Sequence, residues 1–277
     1  MGISKFYIMN EKSVRWSLNS PEQGVFTNPS GFGIDFENNY LKVGDMWLTN
    51  SSKQKQPTPS GKIVFPKNPY PVFQEFINFL NAAKQLVLVY QPAGIEKEYF
   101  AEIDLVSIQK GGYNKDSVFS VPVKFSCKSL FYTEEQFEYH IERASNEIRW
   151  DFSFPTKFND ANYVYFAFDN DGHVEAPFML SFIGYCLKPE IQVLQNGVQI
   201  QNIKFNVELQ TSDRLTISTF DDNLFVEING ESRLDVLDFT KENFFKLPKG
   251  STEIFFKSEA GRMNDITMSF EKYYKGV

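Results

Sequence analysis

The sequence predicts a mainly β protein with two domains. Phe and Tyr are abundant, at 29 and 13 of 277 residues, and aromatic side chains favour strands and dominate buried surfaces. Many short apolar segments are separated by turn residues, and only one segment has the periodicity of a helix. Up to Tyr132 there are 14 Lys and Arg against 11 Asp and Glu, whereas the remainder has 14 against 24. This asymmetry indicates two domains with different surroundings.

In the first domain, one helix is predicted among short strands. The segment Phe32–Leu48 mixes apolar and turn residues as short strands do. Asn50–Gly61 is polar and carries prolines, so it is expected to form an exposed loop or a hairpin tip. Pro71 then stands in a first helical turn, where proline is tolerated. Apolar residues follow at three- and four-residue spacings and predict a helix face packed on a sheet: Val72, Phe73, Phe76, Ile77 and Leu80.

Further strands of the first domain are predicted at Ile63–Phe65, Leu86–Tyr90 and Tyr99–Ile108. The segment Phe119–Cys127 alternates between apolar and polar residues, which is typical of a half-buried strand. Pro122 interrupts that segment and cannot donate a ladder hydrogen bond. It therefore predicts an edge strand or a bulged position.

The boundary between the domains is predicted near Tyr132, giving domains 1–132 and 133–277. The segment Thr133–Asp151 is charged and poor in aliphatic residues, as exposed domain junctions are. Beyond it, Asn196-Gly197 and Asn229-Gly230 each predict a two-residue type I′ turn, because both central residues need a positive φ. Many short strands joined by such turns indicate a β-sandwich. These strands are predicted at Tyr163–Phe168, Pro177–Leu187, Glu190–Leu194, Ile203–Leu209, Leu215–Thr219, Leu224–Ile228, Ser251–Lys257 and Ile266–Phe270.

Several classes of protein are disfavoured by composition. Cys127 and Cys186 lie in apolar segments and are expected to be buried free thiols rather than a disulfide. Met1–Ser20 lacks the apolar core of a signal peptide, and no apolar run approaches the roughly 20 residues that span a bilayer, so no membrane insertion is expected. The formal net charge of −7 argues against binding driven by nucleic-acid phosphates, and no sequence-specific nucleic-acid partner is expected.

The sequence predicts no catalytic, cofactor-binding or metal site, and the protein is expected not to be an enzyme. His140 and His173 lie in unrelated segments, without zinc-site spacing to the cysteines. Asp169-Asn170-Asp171-Gly172 looks like a calcium loop but lacks the later bidentate glutamate, so a turn is the preferred interpretation. Trp47 and Trp150 are expected in cores or interfaces, although exposed aromatic residues on a sandwich can also stack on sugars.

A resemblance to a known family rests on residues of both domains. In the first domain they are Gly61-Lys62-Ile63-Val64-Phe65, Pro69-Tyr70, the helix Phe73–Leu80 and the closing Lys128–Tyr132. In the second domain the run Asp238–Gly250 contains the pattern N-F-F-x-L-P-x-G before a strand. With these segments in this order, the chain resembles the siphophage distal tail protein family.

The resemblance implies a structural hub of a phage tail tip or baseplate. The first domain would be a split β-barrel with one α-helix and a hairpin, and six copies would close into a ring, with two stacked rings as a variant. The second would be a galectin-like or jelly-roll β-sandwich outside the ring. The ring would connect the tail tube protein to the tail-associated lysin or fibre protein and leave a channel for DNA.

The resemblance further implies a place in the distal tail of a virion, after synthesis and assembly in the cytoplasm of a bacterial host. A prophage or a tail-like bacteriocin would use the same part. The alternative hypothesis is a carbohydrate-binding adhesion module that uses the C-terminal sandwich. A glycan-processing enzyme is a third hypothesis, because paired carboxylates are recognised by spatial geometry and not by sequence.

Overall fold

A computed structural model describes residues 3–109, 111–113, 119–140, 163–240, 243–261 and 265–277. Strands predominate in these ranges, which contain one α-helix, so the mainly β class is confirmed. Contacts between residues divide the chain into two units, Met1–Thr133 with Tyr274–Val277 and Glu134–Tyr273. Within the described ranges, no helix has the length and hydropathy needed to cross a bilayer.

The first unit is built from short strands and one helix, α1 (Pro69–Ala82). The last of its strands, β12, contributes only residues 131–133 to this unit. The strands are β1 (Lys5–Asn10), β2 (Arg15–Ser17), β3 (Asn19–Ser20), β4 (Gly24–Ser30), β5 (Phe36–Val43), β6 (Met46–Gln54), β7 (Ser60–Val64), β8 (Leu86–Gln91), β9 (Tyr99–Ile108), β10 (Gly112–Tyr113), β11 (Phe119–Cys127) and β12 (Phe131–His140).

The main sheet of the first unit follows the order β2-β1-β8-β9-β11-β7-β4-β3, with β10 beside β11 and the start of β12 beside β9. No ladder joins the end strands β2 and β3 to each other in the described residues, so the barrel is not closed. Leu18 lies between these two strands in the sequence, and its backbone forms hydrogen bonds with β1 and with β4. Its N–H donates to the carbonyl of Phe6 at 3.0 Å, and its carbonyl accepts from the N–H of Phe26 at 2.8 Å.

The predicted helix is confirmed as α1, with Pro71 in its first turn. Phe76 and Leu80 are buried in the core of the first unit, and the Phe76 ring lies 5.4 Å from that of Trp16. Phe79 was not assigned to the apolar face, yet its ring lies 5.7 Å from Trp16. A wide apolar face explains this, because residues three apart on a helix share one side.

The expectation for Asn50–Gly61 is only partly correct. Asn50–Gln54 continue strand β6, and the hairpin tip lies earlier, at Gly44–Asp45. After the hairpin, the carbonyls of Pro57 and Pro59 accept hydrogen bonds from N–H groups of β11 at 3.0 and 2.8 Å. The polar composition of Asn50–Gln54 indicated a loop, but a strand whose two faces are both solvated can also consist of polar residues.

The expectation that Pro122 marks an edge strand is wrong, because β11 pairs with β7 on one side and with β9 on the other. The ladder with β9 ends at Val123, so Pro122 lies just beyond it, where its missing N–H breaks no ladder bond. Its carbonyl still accepts from the N–H of Gln109 at 3.0 Å. A bulge does occur in this strand, but between Lys124 and Phe125.

The second unit contains two larger sheets, ordered β21-β20-β19-β14-β24-β12 and β13-β22-β16-β17. A third, small sheet is ordered β18-β15-β23, and a short 3-10 helix spans Leu234–Val236. The strands that follow β12 are β13 (Tyr163–Asn170), β14 (Phe178–Ile183), β15 (Cys186–Leu187), β16 (Glu190–Gln195), β17 (Val198–Lys204), β18 (Glu208–Leu209), β19 (Arg214–Phe220), β20 (Asn223–Ile228), β21 (Glu231–Ser232), β22 (Gly250–Lys257), β23 (Ala260–Gly261) and β24 (Asp265–Tyr274).

The predicted sandwich is confirmed by the way these two sheets share one core. Leu180 and Phe182 of β14 are buried in the same cluster as Ile254 and Phe256 of β22. Along both strands these inward residues alternate with less buried ones, as in sandwiches whose sheets pack face to face. Each sheet therefore has an inner apolar face and an outer face.

Both predicted type I′ turns are confirmed. Asn196 and Gly197 have φ values of 52° and 75° and connect β16 to β17. Asn229 and Gly230 have φ values of 55° and 83° and connect β20 to β21. Asparagine and glycine are the residues that tolerate this left-handed region with least strain.

The two cysteines are free and buried, as predicted. Burial raises the pKa of the Cys127 thiol to about 12 and that of the Cys186 thiol to about 11, because the charged thiolate loses hydration. Both side chains therefore act as small apolar groups, one in each core.

The chain passes between the two units twice. Residues 134–140 of β12 lie in the second unit, and residues 141–151 of the expected junction lie outside the described residues. Tyr274–Val277 belong to the first unit, where Tyr274 is buried in the core and Val277 donates its N–H to the carbonyl of Phe32 at 3.0 Å. The bounds 1–132 and 133–277 stay a prediction, and they place these last residues in the second domain.

Candidate functional site

A hairpin of the first unit stands apart from its main sheet. It consists of β5 and β6, Phe36–Gln54, which form a two-stranded sheet of their own. All residues of β5 are exposed, and so are nearly all residues of β6. Two strands alone are only marginally stable in water, so such a hairpin gains most from contact with another surface. We call it the exposed hairpin.

The end of the exposed hairpin carries an apolar face. Residues directly opposite each other in an antiparallel pair point to the same side. Leu41 pairs with Leu48 and Val43 pairs with Met46, so these four side chains share one face, which we call the aliphatic face. Each of the four is between 47% and 64% exposed. The turn Gly44–Asp45 connects the two strands, and the φ of 63° at Gly44 suits a glycine.

The opposite face of the exposed hairpin is amphipathic. Tyr40 pairs with Thr49, and Lys42 pairs with Trp47. The ammonium group of Lys42 lies 5.8 Å from the centre of the Trp47 ring, within reach of a cation–π contact. Trp47 is thus on the surface, as an interface residue would be. Trp150 lies outside the described residues.

A contiguous group of exposed apolar side chains on a folded unit marks a binding surface. The aliphatic face contains no ionisable group, so it can bind but offers no catalytic chemistry. This face is not predicted from the sequence, because the polar composition after Leu48 indicates a loop or a hairpin tip. The available signal was the Gly44–Asp45 turn, flanked by the alternating Leu41-Lys42-Val43 and the apolar Met46-Trp47-Leu48.

The run before β22 has a structural role. Phe245 and Leu247 are buried in the core of the second unit, and Phe244 is half-buried against it. Leu247 exchanges two backbone hydrogen bonds with Ala176, each of 2.8 Å. The run before β22 therefore contributes Phe245 and Leu247 to the core of the second unit.

The predicted turn begins at the end of β13, whose last two residues are Asp169 and Asn170. The side-chain oxygen of Asn170 accepts the N–H of Gly172 at 3.0 Å, and its amide donates to the carbonyl of Val174 at 2.9 Å. Such side-chain bonds to the following backbone define an Asx turn. Asp171 lies 3.2 Å from the ammonium of Lys272.

Lys272 is a nearly buried cation of the second unit, only 8% exposed. Burial acts to lower its pKa, but hydrogen bonds and charges of Glu135 and Asp171 outweigh burial, so the pKa is raised. The ammonium lies 2.7 Å from Glu135 and sits near the rings of Phe168 and Phe270. His173 is exposed on this unit. Across the described ranges, no three His, Cys, Asp or Glu side chains are grouped to hold a metal.

Comparisons with known proteins match both parts of the chain. The N-terminal domain of the distal tail protein matches residues 5–128, and the C-terminal domain of the siphovirus-type tail component matches residues 171–274. No curated protein matches the sequence.

Solved structures share the fold at low sequence identity. A chain of the phage P2 baseplate in its activated conformation with calcium has a TM-score of 0.62 at 16% identity, covering 99% of this chain and 100% of its own. The same baseplate with strontium gives 0.62 at 16%, covering all of both chains. The SPP1 Dit protein, described as a paradigm of the hub adsorption apparatus in phages that infect Gram-positive bacteria, gives 0.60 at 12%, covering 96% and 98%.

Proposed function

We propose that this chain, which belongs to the phage distal tail protein family, is the structural hub of a tail tip whose copies close into a hexameric ring. The observation that carries the proposal is that two family domains match in order along the chain, at residues 5–128 and 171–274. A likeness in fold to baseplate chains over nearly the whole length supports it. The role is structural and not catalytic.

The exposed hairpin supports ring formation by the first unit. A ring of identical subunits needs a head-to-tail interface, in which two different patches of the same chain meet. The aliphatic face of the hairpin supplies one patch. Leu105 and Val106 of β9 are also exposed and supply apolar surface on a second element of the same unit. A neighbouring copy is therefore the proposed occupant of the hairpin face.

The proposed ring connects the tail tube protein on one side to the tail-associated lysin or fibre protein on the other, and its opening serves as the channel for DNA. The protein is then a component of the virion, synthesised and assembled in the cytoplasm of the bacterial host.

Light scattering on the full-length chain tests the proposal. A closed ring has a fixed mass, so we expect six times 32.1 kDa, or twelve times for two stacked rings, over a wide range of protein concentration. A mass of one chain at every micromolar concentration contradicts the ring. So does a mass that rises without limit, because it indicates open filaments.

A further inference from the structure

The outer face of one sheet of the second unit carries an ordered polar and aromatic row. The pairing register aligns Tyr165 of β13 with Phe255 of β22, Gln192 of β16 and Asn202 of β17. All four side chains are half-buried and alternate along their strands with residues of the core. The row therefore crosses the whole four-stranded sheet on the side away from the core. We call it the outer row.

Two aromatic rings form one end of the outer row. The rings of Tyr165 and Phe255 stack with centres 5.1 Å apart and an angle of 24° between their planes. The ammonium of Lys257 lies 5.7 Å from the centre of the Phe255 ring. This end of the outer row therefore offers an apolar surface, and the contacts between these side chains hold the two rings in position.

Hydrogen bonds fix the polar end of the outer row. The ammonium of Lys257 donates to Oε1 of Gln192 at 2.5 Å. The amides of Gln192 and Asn202 both donate to Oε1 of Glu190, each at 2.9 Å. These bonds use only part of the available capacity, because an amide has two N–H donors and a carbonyl, and an ammonium has three donors. Further donors and acceptors remain in a fixed arrangement beside the rings.

The four strands of the outer row carry no excess of positive charge. They contain two lysines, Lys204 and Lys257, and three acidic residues, Asp169, Glu190 and Glu253. Glu259 lies 3.1 Å from the ammonium of Lys188 and 3.3 Å from that of Lys204. Such a surface has no excess of positive charge to attract phosphates. An apolar protein surface placed on it would leave amides and charges desolvated without partners, which is costly.

We propose that the outer row binds a neutral saccharide. A sugar ring presents an apolar face of C–H groups and a rim of hydroxyl groups, which matches stacked aromatic rings beside pre-oriented amide, carboxylate and ammonium groups. The site combines an apolar platform with a few fixed polar groups, as small-molecule sites do. It would give a tail hub direct contact with a glycan of the cell surface, and it does not depend on ring formation.

The test uses the full-length protein on an array of defined, immobilised oligosaccharides of neutral hexoses and N-acetylhexosamines. We expect retention on at least one of them. Tyr165→Ala removes a stacking ring, and Asn202→Asp keeps the side-chain shape but places a carboxylate beside Glu190. Each change should reduce retention by about tenfold or more, since each removes or reverses one specific contact.

Matched controls separate the site from general effects. Tyr70→Ala removes an exposed tyrosine of the first unit, and Asn223→Ala removes an exposed amide on the other sheet. Both should bind as the unchanged protein does, and thermal unfolding together with the mass by light scattering shows whether each variant is folded. Retention on no oligosaccharide overturns the proposal. Equal loss in variants and controls, or retention only on anionic glycans, overturns it as well.

Discussion

Replacing Phe245 with alanine is expected to lower the free energy of unfolding of the second unit by about 3–5 kcal/mol. Phe245 is 3% exposed, and its ring lies 5.7 Å from that of Phe178 in the core. The substitution loses the transfer free energy of the ring and leaves a cavity. The neighbouring backbone can close this cavity only in part, because Leu247 is tied to Ala176 by two hydrogen bonds.

Phe239→Ala is the matched control for that substitution. Phe239 precedes Phe245 by six positions and is 71% exposed, so its removal should change the free energy of unfolding by less than about 0.5 kcal/mol. Urea unfolding followed by circular dichroism measures both variants, at one protein concentration because association adds to apparent stability. Equal stability of the two variants would show that Phe245 does not plug the core.

A paired substitution on the exposed hairpin, Leu41→Lys with Leu48→Glu, is expected to convert the ring into single chains. The two residues face each other across the strands, so lysine and glutamate form an opposite-charge pair that preserves the hairpin. The same pair places two charges in the centre of the proposed interface. Even when paired with each other, two charges desolvated in an interface cost about 1–4 kcal/mol relative to the apolar pair they replace, and the loss recurs at each contact of a ring.

Val198→Glu with Leu224→Lys provides the control for the hairpin variant. These residues of the second unit are 63% and 50% exposed and lie on its two different sheets, so the control adds the same two charges at exposed apolar positions outside the hairpin. Light scattering should show the ring mass for this control and the mass of one chain for the hairpin variant. If both variants keep the ring mass, the aliphatic face is not the contact, and if both lose it, the effect is not specific to the hairpin.

Strands that alternate clearly, and turns with a strict chemical requirement, were predicted well from the sequence. β11, whose segment alternates clearly, has the predicted bounds, and the two Asn–Gly turns have the required dihedral angles. The helix was predicted because its apolar residues recur at helical spacing. In each case local chemistry decides the local structure, so no knowledge of distant contacts is needed.

Elements whose form depends on distant partners were not predicted. β1 to β4, in residues 5–30, carry no clear alternation. Pairing fixes them as strands, since β1 pairs with β2 and β8, and β4 pairs with β3 and β7. From Thr133 onwards β12 is polar at its exposed positions, and its composition predicts a domain junction rather than a strand. The outer row could not be predicted, because it depends on the register between strands that are distant in the sequence.

Electron micrographs of the purified full-length protein test the central claim most directly. The proposed hub predicts closed particles with sixfold symmetry and a central opening, either as single rings or as two stacked rings. Averaged images should show the same symmetry for the Val198→Glu with Leu224→Lys control and no rings for the Leu41→Lys with Leu48→Glu variant. Images that contain only isolated single chains or open filaments, under conditions in which the chain is folded, would contradict a ring-forming hub.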